Sequence, residues 1–413
     1  VTLLPDTGSV TRREHHLRRV RTGFVLSQVF FGLATSLFDM YYALFLGQVG
    51  IPPAGAGQVF SVGFTVMAVI VLPLSAFTDR LGLEPMMLLS SFGFAGTMLA
   101  IPFVDSLSAH LLLFGLNSVC SALMLVSVNA VLASAIHDEQ ERFALFRTGF
   151  VAFLTASAVG NVAGVLLARV GAETAGWYRF DLLCSAVLAV LIGVARIAMW
   201  RRDAGPAVVP GAPRPPVLPA LRANAGHLAG LFVLAVLVGG AGVLAIRFIN
   251  LVAVNYLHLA TESLGWLLVA DRLASVLGIF VLFPLMKRGG ALRVAGFAMI
   301  AALFLQILSA TAGTAGFFVL WYLLRQGAHY AQMPVLDNLA NSRAAQGTRA
   351  FVNGVQRMGI FAGSAAASLA YGTLMSAGRY RGAVVLSGVL SLLAGVTYLV
   401  QSHVGLRRRG ADQ

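Results

Sequence analysis

Long apolar runs, separated by short polar, glycine-bearing or proline-bearing stretches, recur along the whole chain. They fall near residues 22–48, 57–78, 86–104, 108–135, 147–169 and 176–200, and again near 224–257, 262–285, 291–312, 315–338, 350–377 and 381–402. A helix rises about 1.5 Å per residue, so runs of this length cross a hydrocarbon core about 30 Å thick. Between the sixth and seventh runs, Arg201, Arg202 and Asp203 lead into a stretch holding Pro206, Pro210, Pro213, Pro215, Pro216 and Pro219. So many prolines cannot sit in a spanning helix, and the stretch reads as a linker. The pattern predicts an all-α integral membrane protein with twelve transmembrane helices arranged as two pseudo-symmetric six-helix bundles. Its expected parts are a tail over 1–21, a first bundle over 22–200, the linker over 201–223, a second bundle over 224–402 and a tail over 403–413.

Composition points the same way. Of the 413 residues, 58% are apolar and 11% charged, too few charges to solvate the surface of a soluble protein this large. A formal charge of +13 would suggest nucleic acid in a soluble chain, but here the basic residues cluster between apolar runs and act as topology signals. About 21 Lys and Arg fall on one side, about four on the other (Arg169, Arg179, Arg379, Arg381) and about four within helices. The positive-inside rule then predicts a multi-pass protein of the cell membrane with both termini cytoplasmic. The first run shows no small-residue cleavage site and reads as a retained helix. Cys120 and Cys184 lie inside apolar runs, where free thiols behave as small hydrophobes, so no disulfide or metal framework is expected. The sole lysine, Lys287, follows Phe283-Pro284-Leu285-Met286 and closes no phosphate loop. Hydrolytic signatures are missing too. Neither a cofactor nor an enzymatic activity is expected.

The two halves echo one another. An offset of 208 positions brings Gly57 onto Gly265, Asp39 onto Arg247, Asn117 onto Arg325 and Asn129 onto Asp337. Coincident polar positions inside apolar runs are what parallel repeats flanking a central site produce.

At the end of the second run the chain reads Leu74-Ser75-Ala76-Phe77-Thr78-Asp79-Arg80-Leu81-Gly82-Leu83, which resembles the signature loop between helices 2 and 3 of the major facilitator superfamily. The matching loop of the second half, Met286-Lys287-Arg288-Gly289-Gly290, is similar to the degenerate copy usual in that family. Leu324-Arg325-Gln326-Gly327 in the tenth run resembles a motif the family often carries in helix 4, where this chain has Asn117. In the fifth run, Ala156, Gly160, Asn161 and Gly164 resemble a weakened form of the glycine-rich motif of family antiporters. The alternative for that motif is small-residue helix packing. The resemblance implies that helices 1, 4, 7 and 10 line a central cavity, and that loop charges latch the halves in one conformation.

A charge inside a bilayer costs at least about 2.5–3.5 kcal/mol, so intramembrane ionisable groups are functional candidates. Asp39 and Arg247 each lie about nine residues, or roughly 13 Å, from the outer end of their helices. At that equal depth they could form a proton-sensitive pair, or a fixed pair that only orders the bundle. Arg325 and His329, spaced i and i+4, share a helix face that is expected to look into the cavity, with Tyr330 and Gln332 nearby. Asp271 and Arg272 point about 100° apart, so at least one needs a partner on another helix. Arg357 is expected near the inner gate. Tyr42 and Asn250 add aromatic and amide lining. The expected substrate-binding residues are therefore Asp39, Tyr42, Arg247, Asn250, Arg325, His329 and Gln332. Proton coupling falls to Asp39, Asp271 and His329, and gating to Asp79, Arg80, Arg142 and Asp337.

Two functions compete within this frame. One is proton-coupled export of a small, largely apolar organic molecule by alternating access, and the other is uptake or exchange of an anionic metabolite. A non-transporting receptor or lipid flippase on the same scaffold is a third. The expected partners are a small-molecule substrate, protons and the lipid bilayer, with no nucleic acid, and the chain is expected to work as a monomer.

Overall fold

The computed structural model describes residues 7–81, 83–136, 139–170, 175–200, 225–342 and 349–411, and no strand occurs among the described residues. We number the helices α1 (Thr7–Gln48), α2 (Pro53–Leu81), α3 (Leu83–Ala100), α4 (Leu107–Ala135), α5 (Glu139–Val170), α6 (Ala175–Ile197), α7 (Ala225–Tyr256), α8 (Thr261–Gly289), α9 (Ala291–Thr311), α10 (Ala315–Ala331), α11 (Arg349–Ser376) and α12 (Tyr380–Ala411). Among the described residues, 11 helices are each long and apolar enough to cross a membrane. The remaining one, α10, has 17 residues and resumes after Gln332 as the short helix Met333–Ser342. Pro334 accounts for the break, because it offers no N–H to the Tyr330 carbonyl one turn back. The amides of Val335 and Leu336 instead both donate to the Gln332 carbonyl at 3.0 Å.

Some helices outrun their apolar stretches. Whereas the apolar run opens near 22, α1 begins at Thr7; α5 begins at Glu139 rather than near 147, and α12 continues to Ala411. Polarity ends the apolar run, but Arg, Glu, Gln and Leu still favour helix. In the extension of α1, Val20 packs with Phe24, Met87 and Met199 while Arg18, Arg19 and Arg21 stay exposed. A further departure lies in α7, which opens into two π turns, Leu244–Phe248 and Val252–Tyr256, on either side of Ile249–Leu251. Wide turns of this kind mark functional sites more often than chance would place them there.

Helix pairing repeats between the halves. In the first, α1 lies against α5 and α6, α2 against α4, and α3 against α4 and α6; in the second, α7 lies against α11 and α12, α8 against α10, and α9 against α10 and α12. The seams between halves obey the same symmetry, with α2 on α11 and α5 on α8. Each seam is closed by a glycine from the pair the 208-residue offset aligns. A Cβ on Gly57 would meet the Ser368 carbonyl oxygen at 2.6 Å and the Gly372 Cα at 3.1 Å, while one on Gly265 would press on Val165 and Met40.

We call the end where α1 begins and α12 ends proximal, and the end with the α1–α2 and α7–α8 turns distal. A single buried cluster spans both halves at the distal end, uniting Tyr42, Phe45, Phe60 and Phe114 with Phe248, Leu251 and Tyr371. Outward faces carry large exposed apolar side chains such as Phe103, Leu112, Phe280 and Phe297, as a surface facing lipid requires.

Candidate functional site

The halves also meet where α1 crosses the π turns of α7. Arg247, within the first π turn, forms an ion pair with Asp39 of α1, and each side chain is 19% exposed. Asn250, between the two turns, donates to the Asp39 carbonyl at 3.2 Å and to the Met40 carbonyl at 3.3 Å, so α7 grips both the side chain and the backbone of α1. Around the Arg247 guanidinium stand the rings of Phe60, Phe64 and Phe114, 5.6, 5.9 and 5.7 Å from its central carbon. Rings at that range attract the cation by about 0.5–1 kcal/mol each when exposed and about 2 kcal/mol or more when desolvated. Tyr42 stacks on Phe38 and Phe114, with centroids 4.5 and 5.5 Å away, and its hydroxyl lies 3.2 Å from Nδ1 of the buried His110. The tie is thus an ion pair set in an aromatic sleeve.

A second polar cluster lies inside the second half. Asp271 of α8 accepts hydrogen bonds from the Tyr322 hydroxyl, at 3.0 Å, and from the Gln326 side-chain amide, both on α10. Arg325 is fully buried; it donates to Gln326 Oε1 at 2.5 Å, to the Ala241 carbonyl of α7 at 2.5 Å and to Ser387 of α12 at 3.0 Å. Arg272 donates to the Tyr330 hydroxyl at 3.5 Å, and it lies close enough to Asp39 and Asp271 to act on both by charge.

Arg325 and His329, which share a face of α10, both lie against α7. Both side chains are turned into the second half, Arg325 between α7 and α12 and His329 toward Gly242 of α7, and both are buried. The Arg325 guanidinium finds three acceptors there, as a buried cation requires. Gln332, where α10 breaks, accepts a 2.5 Å hydrogen bond from Tyr398 of α12 and is buried as well.

Among the expected gate residues, Asp337 meets Gln356 at 2.6 Å and Arg357 at 3.6 Å, both on α11 of its own half. Those contacts brace one half internally. The side chains of Asp79, Arg80 and Arg142 lie outside the described residues. In the fifth helix, Gly160 faces Ser36 and Leu33 while Gly164 faces Met40, Leu37 and Tyr41, so the small residues let α5 approach α1 closely.

Among the described residues, the buried groups that escaped the sequence reading include His110, Asp181 and Arg196. Each sits near a helix end, where apolar periodicity fades and a polar residue passes for an interfacial one. The available signal for Asp181 was its place between Phe180 and Leu182, within an apolar run.

A family model described as Major Facilitator Superfamily matches residues 24–254, more than half of the chain. No curated protein sequence matches significantly. Similar solved structures include the nucleoside transporter NupG, at 14% identity and a TM-score of 0.72 over 93% of this chain and 98% of that one. Another is a bacterial homolog of the human lysosomal transporter Spinster in an inward-facing, occupied conformation, at 13% identity and a TM-score of 0.75 over 95% and 97% of the two chains. The human organic anion transporter MFSD10 (TETRAN) shares 18% identity with a TM-score of 0.60, over 94% of this chain and 99% of that one.

Proposed function

The chain belongs to the major facilitator superfamily, and from that premise we propose that it exports a small, largely apolar organic molecule in exchange for protons by alternating access. The bodies that move are the halves 22–200 and 224–402, joined by the linker 201–223, in a monomer of the cell membrane with both termini cytoplasmic. The observation that carries the reading is the Asp39–Arg247 tie across the halves, wrapped by Phe60, Phe64 and Phe114. In its ionised form Asp39 holds α7 to α1 and keeps the distal side shut. Protonation removes the attraction, leaves the guanidinium to the rings alone, and frees the halves to part there. The apolar sleeve suits a cargo that is itself mostly apolar. The bacterial Spinster homolog of similar shape is in an inward-facing conformation, which fits a closed distal side.

A second reading, uptake or exchange of an anionic metabolite, rests on a different observation. The interior holds Arg247, Arg272 and Arg325 against Asp39 and Asp271, a surplus of positive charge. The similar human protein is described as an organic anion transporter.

Thermal unfolding of the detergent-purified protein against organic anions, sugars and lipophilic cations separates the two. A ligand at 100 times its dissociation constant adds about 2.7 kcal/mol of stability, a shift easily seen in a melting curve. Stabilisation by lipophilic compounds, followed by loss of proton-driven efflux from proteoliposomes in Asp39→Asn, supports export; efflux unchanged by that substitution defeats the role given to Asp39. Stabilisation by anions that disappears in Arg247→Gln or Arg325→Gln supports the second reading, and anion affinity retained in both removes it.

A further inference from the structure

Arg272 is held more loosely than Arg247 or Arg325. Arg247 is paired with Asp39 and Arg325 has three acceptors, whereas the Arg272 guanidinium makes one hydrogen bond, a long 3.5 Å contact to the Tyr330 hydroxyl, and its Nε has no partner. The Tyr330 hydroxyl accepts that bond, and its own hydrogen goes to no acceptor among the described residues. A charged donor from α8 and a neutral one from α10 thus stand side by side with no acceptor between them. A cation in that condition gains from any fixed acceptor brought to it.

The pair fronts the other half. Arg272 lies about two turns beyond Gly265 on the same face of α8, and Gly265 packs on Val165 of α5 and Met40 of α1. Leu273, Leu277 and Phe280, exposed toward lipid, lie about 80–140° further round that helix. Arg272 keeps part of its surface open and acts by charge on Asp39 of α1, so its open side gives onto the space between the halves, beside the Asp39–Arg247 tie. Near the same tie Phe64, which stands over Arg247, stacks on Phe361 of the other half with centroids 6.4 Å apart, and both rings are partly exposed.

The charges around the tie narrow the ligand further. Arg247, Arg272 and Arg325 stand against Asp39 and Asp271, which leaves one positive charge over. A carboxylate cancels it, while a phosphate monoester, at about −1.5 to −2, overshoots. A planar carboxylate also matches the paired N–H groups of a guanidinium. We propose that Arg272 and Tyr330 form a carboxylate subsite and that the cargo is an apolar monocarboxylate, its acid group on the Arg272 guanidinium and the Tyr330 hydroxyl and its body along Phe64 and Phe361. The inference rests on the transporter reading, joins the apolar cargo of the one alternative to the negative charge of the other, and is independent of direction and of the proton step.

The test is calorimetric titration of the detergent-purified full chain, at neutral pH, with phenylbutyrate, octanoate and indoleacetate, each beside its primary amide. The expected result is an acid that binds about tenfold tighter than its amide, a preference that Arg272→Gln erases while the amide's affinity stays. A panel in which no acid outbinds its amide overturns the proposal, and so does a preference that survives Arg272→Gln. Should Arg272→Gln fail to fold, Tyr330→Phe, which leaves every charge in place, must weaken the acid by about 2- to 10-fold; an unchanged acid affinity there has the same negative meaning. A phosphate monoester of the matching alcohol that binds tighter than the acid overturns the match to a single charge. Acids that bind through Arg272, but whose flux into proteoliposomes the protein does not accelerate, defeat the transport reading and leave the subsite standing. Neutral cargo carried across while no acid binds does the reverse.

Discussion

Gly57→Ala should tip the conformational equilibrium of this protein without touching any polar group. Gly57 lies at the distal part of the α2–α11 seam, where an added Cβ would stand 2.6 Å from the Ser368 carbonyl oxygen, 3.1 Å from the Gly372 Cα and 3.5 Å from the Gly372 nitrogen. All three are backbone atoms of α11, so no side chain can swing away and the seam itself must widen. Overpacking of this kind costs about 1–3 kcal/mol, and the cost falls on the distal-closed state alone, because the contact is lost once the halves part. A bias of that size corresponds to roughly a 5- to 150-fold change in the ratio of closed to open forms. Labels at Pro52 and Ala377, which flank the seam in exposed turns, would report it as growth of a long-distance population. Gly96→Ala is the control, since a Cβ there meets nothing within 4 Å and helix propensity favours alanine by about 1 kcal/mol. An unchanged distribution in Gly57→Ala, or an equal shift in Gly96→Ala, would refute the argument that this seam closes by backbone contact.

Three further outcomes follow from the same geometry. Asp39→Asn should lower the melting temperature more than the double change Asp39→Asn with Arg247→Gln, and the thermodynamic cycle should give a coupling of about 0.5–3 kcal/mol; a coupling near zero would mean that the two charges do not stabilise one another. Tyr322→Phe removes one of two donors to the buried Asp271 and should cost about 1–3 kcal/mol, so an unchanged melting curve would show that the Gln326 amide suffices alone. Glu262→Gln breaks an exposed pair with Arg169, and melting in high salt and low salt should barely distinguish it from the parent, because water and ions screen such pairs; a large drop would show the α5–α8 seam to depend on that bridge.

Hydrophobic periodicity carried the helix count and the bundle class because lipid leaves a chain few choices: every backbone amide must be satisfied within its own helix. The same rule hid the interruptions. The first π turn of α7, Leu244-Ala245-Ile246-Arg247-Phe248, holds no Gly or Pro to announce a break in the helix. The widened stretch carries Arg247 and Asn250, the residues that meet α1. Pro334 was a visible signal, yet Met333, Val335 and Leu336 around it keep the apolar run going to 338. Among the site residues, Asp39 and Arg247 were legible from equal depth. The direction in which Arg325 points was not, since an i, i+4 spacing fixes that two residues share a face and leaves open which neighbour the face meets. Asp181 shows the limit from the other side, as a lone carboxylate among aromatic residues whose lack of partners is a property of three packed helices.

Pseudo-symmetry explains why the tie is made by Asp39 and Arg247. Their numbers differ by 208, the offset that superposes the halves, so each is the other's counterpart. Counterparts touch only where both lie near the axis relating the repeats. Asn117 and Arg325 share the same offset yet stay apart, the first bonded to Thr97 at 2.8 Å and the second to Ser387 at 3.0 Å within their own halves. Identical ionisable residues at a contact on the axis would repel, and identical apolar ones would not respond to protons. One acid and one base at equivalent positions convert the contact into an attraction that protonation of the acid removes. It follows that exchanging the two residues, Asp39→Arg with Arg247→Asp, should preserve the tie's contribution to stability while moving the carboxylate out of the environment of α1. Retained stability with an altered pH response would locate the switch in the surroundings of Asp39, and loss of both would show that the aromatic sleeve admits the cation from the α7 side only.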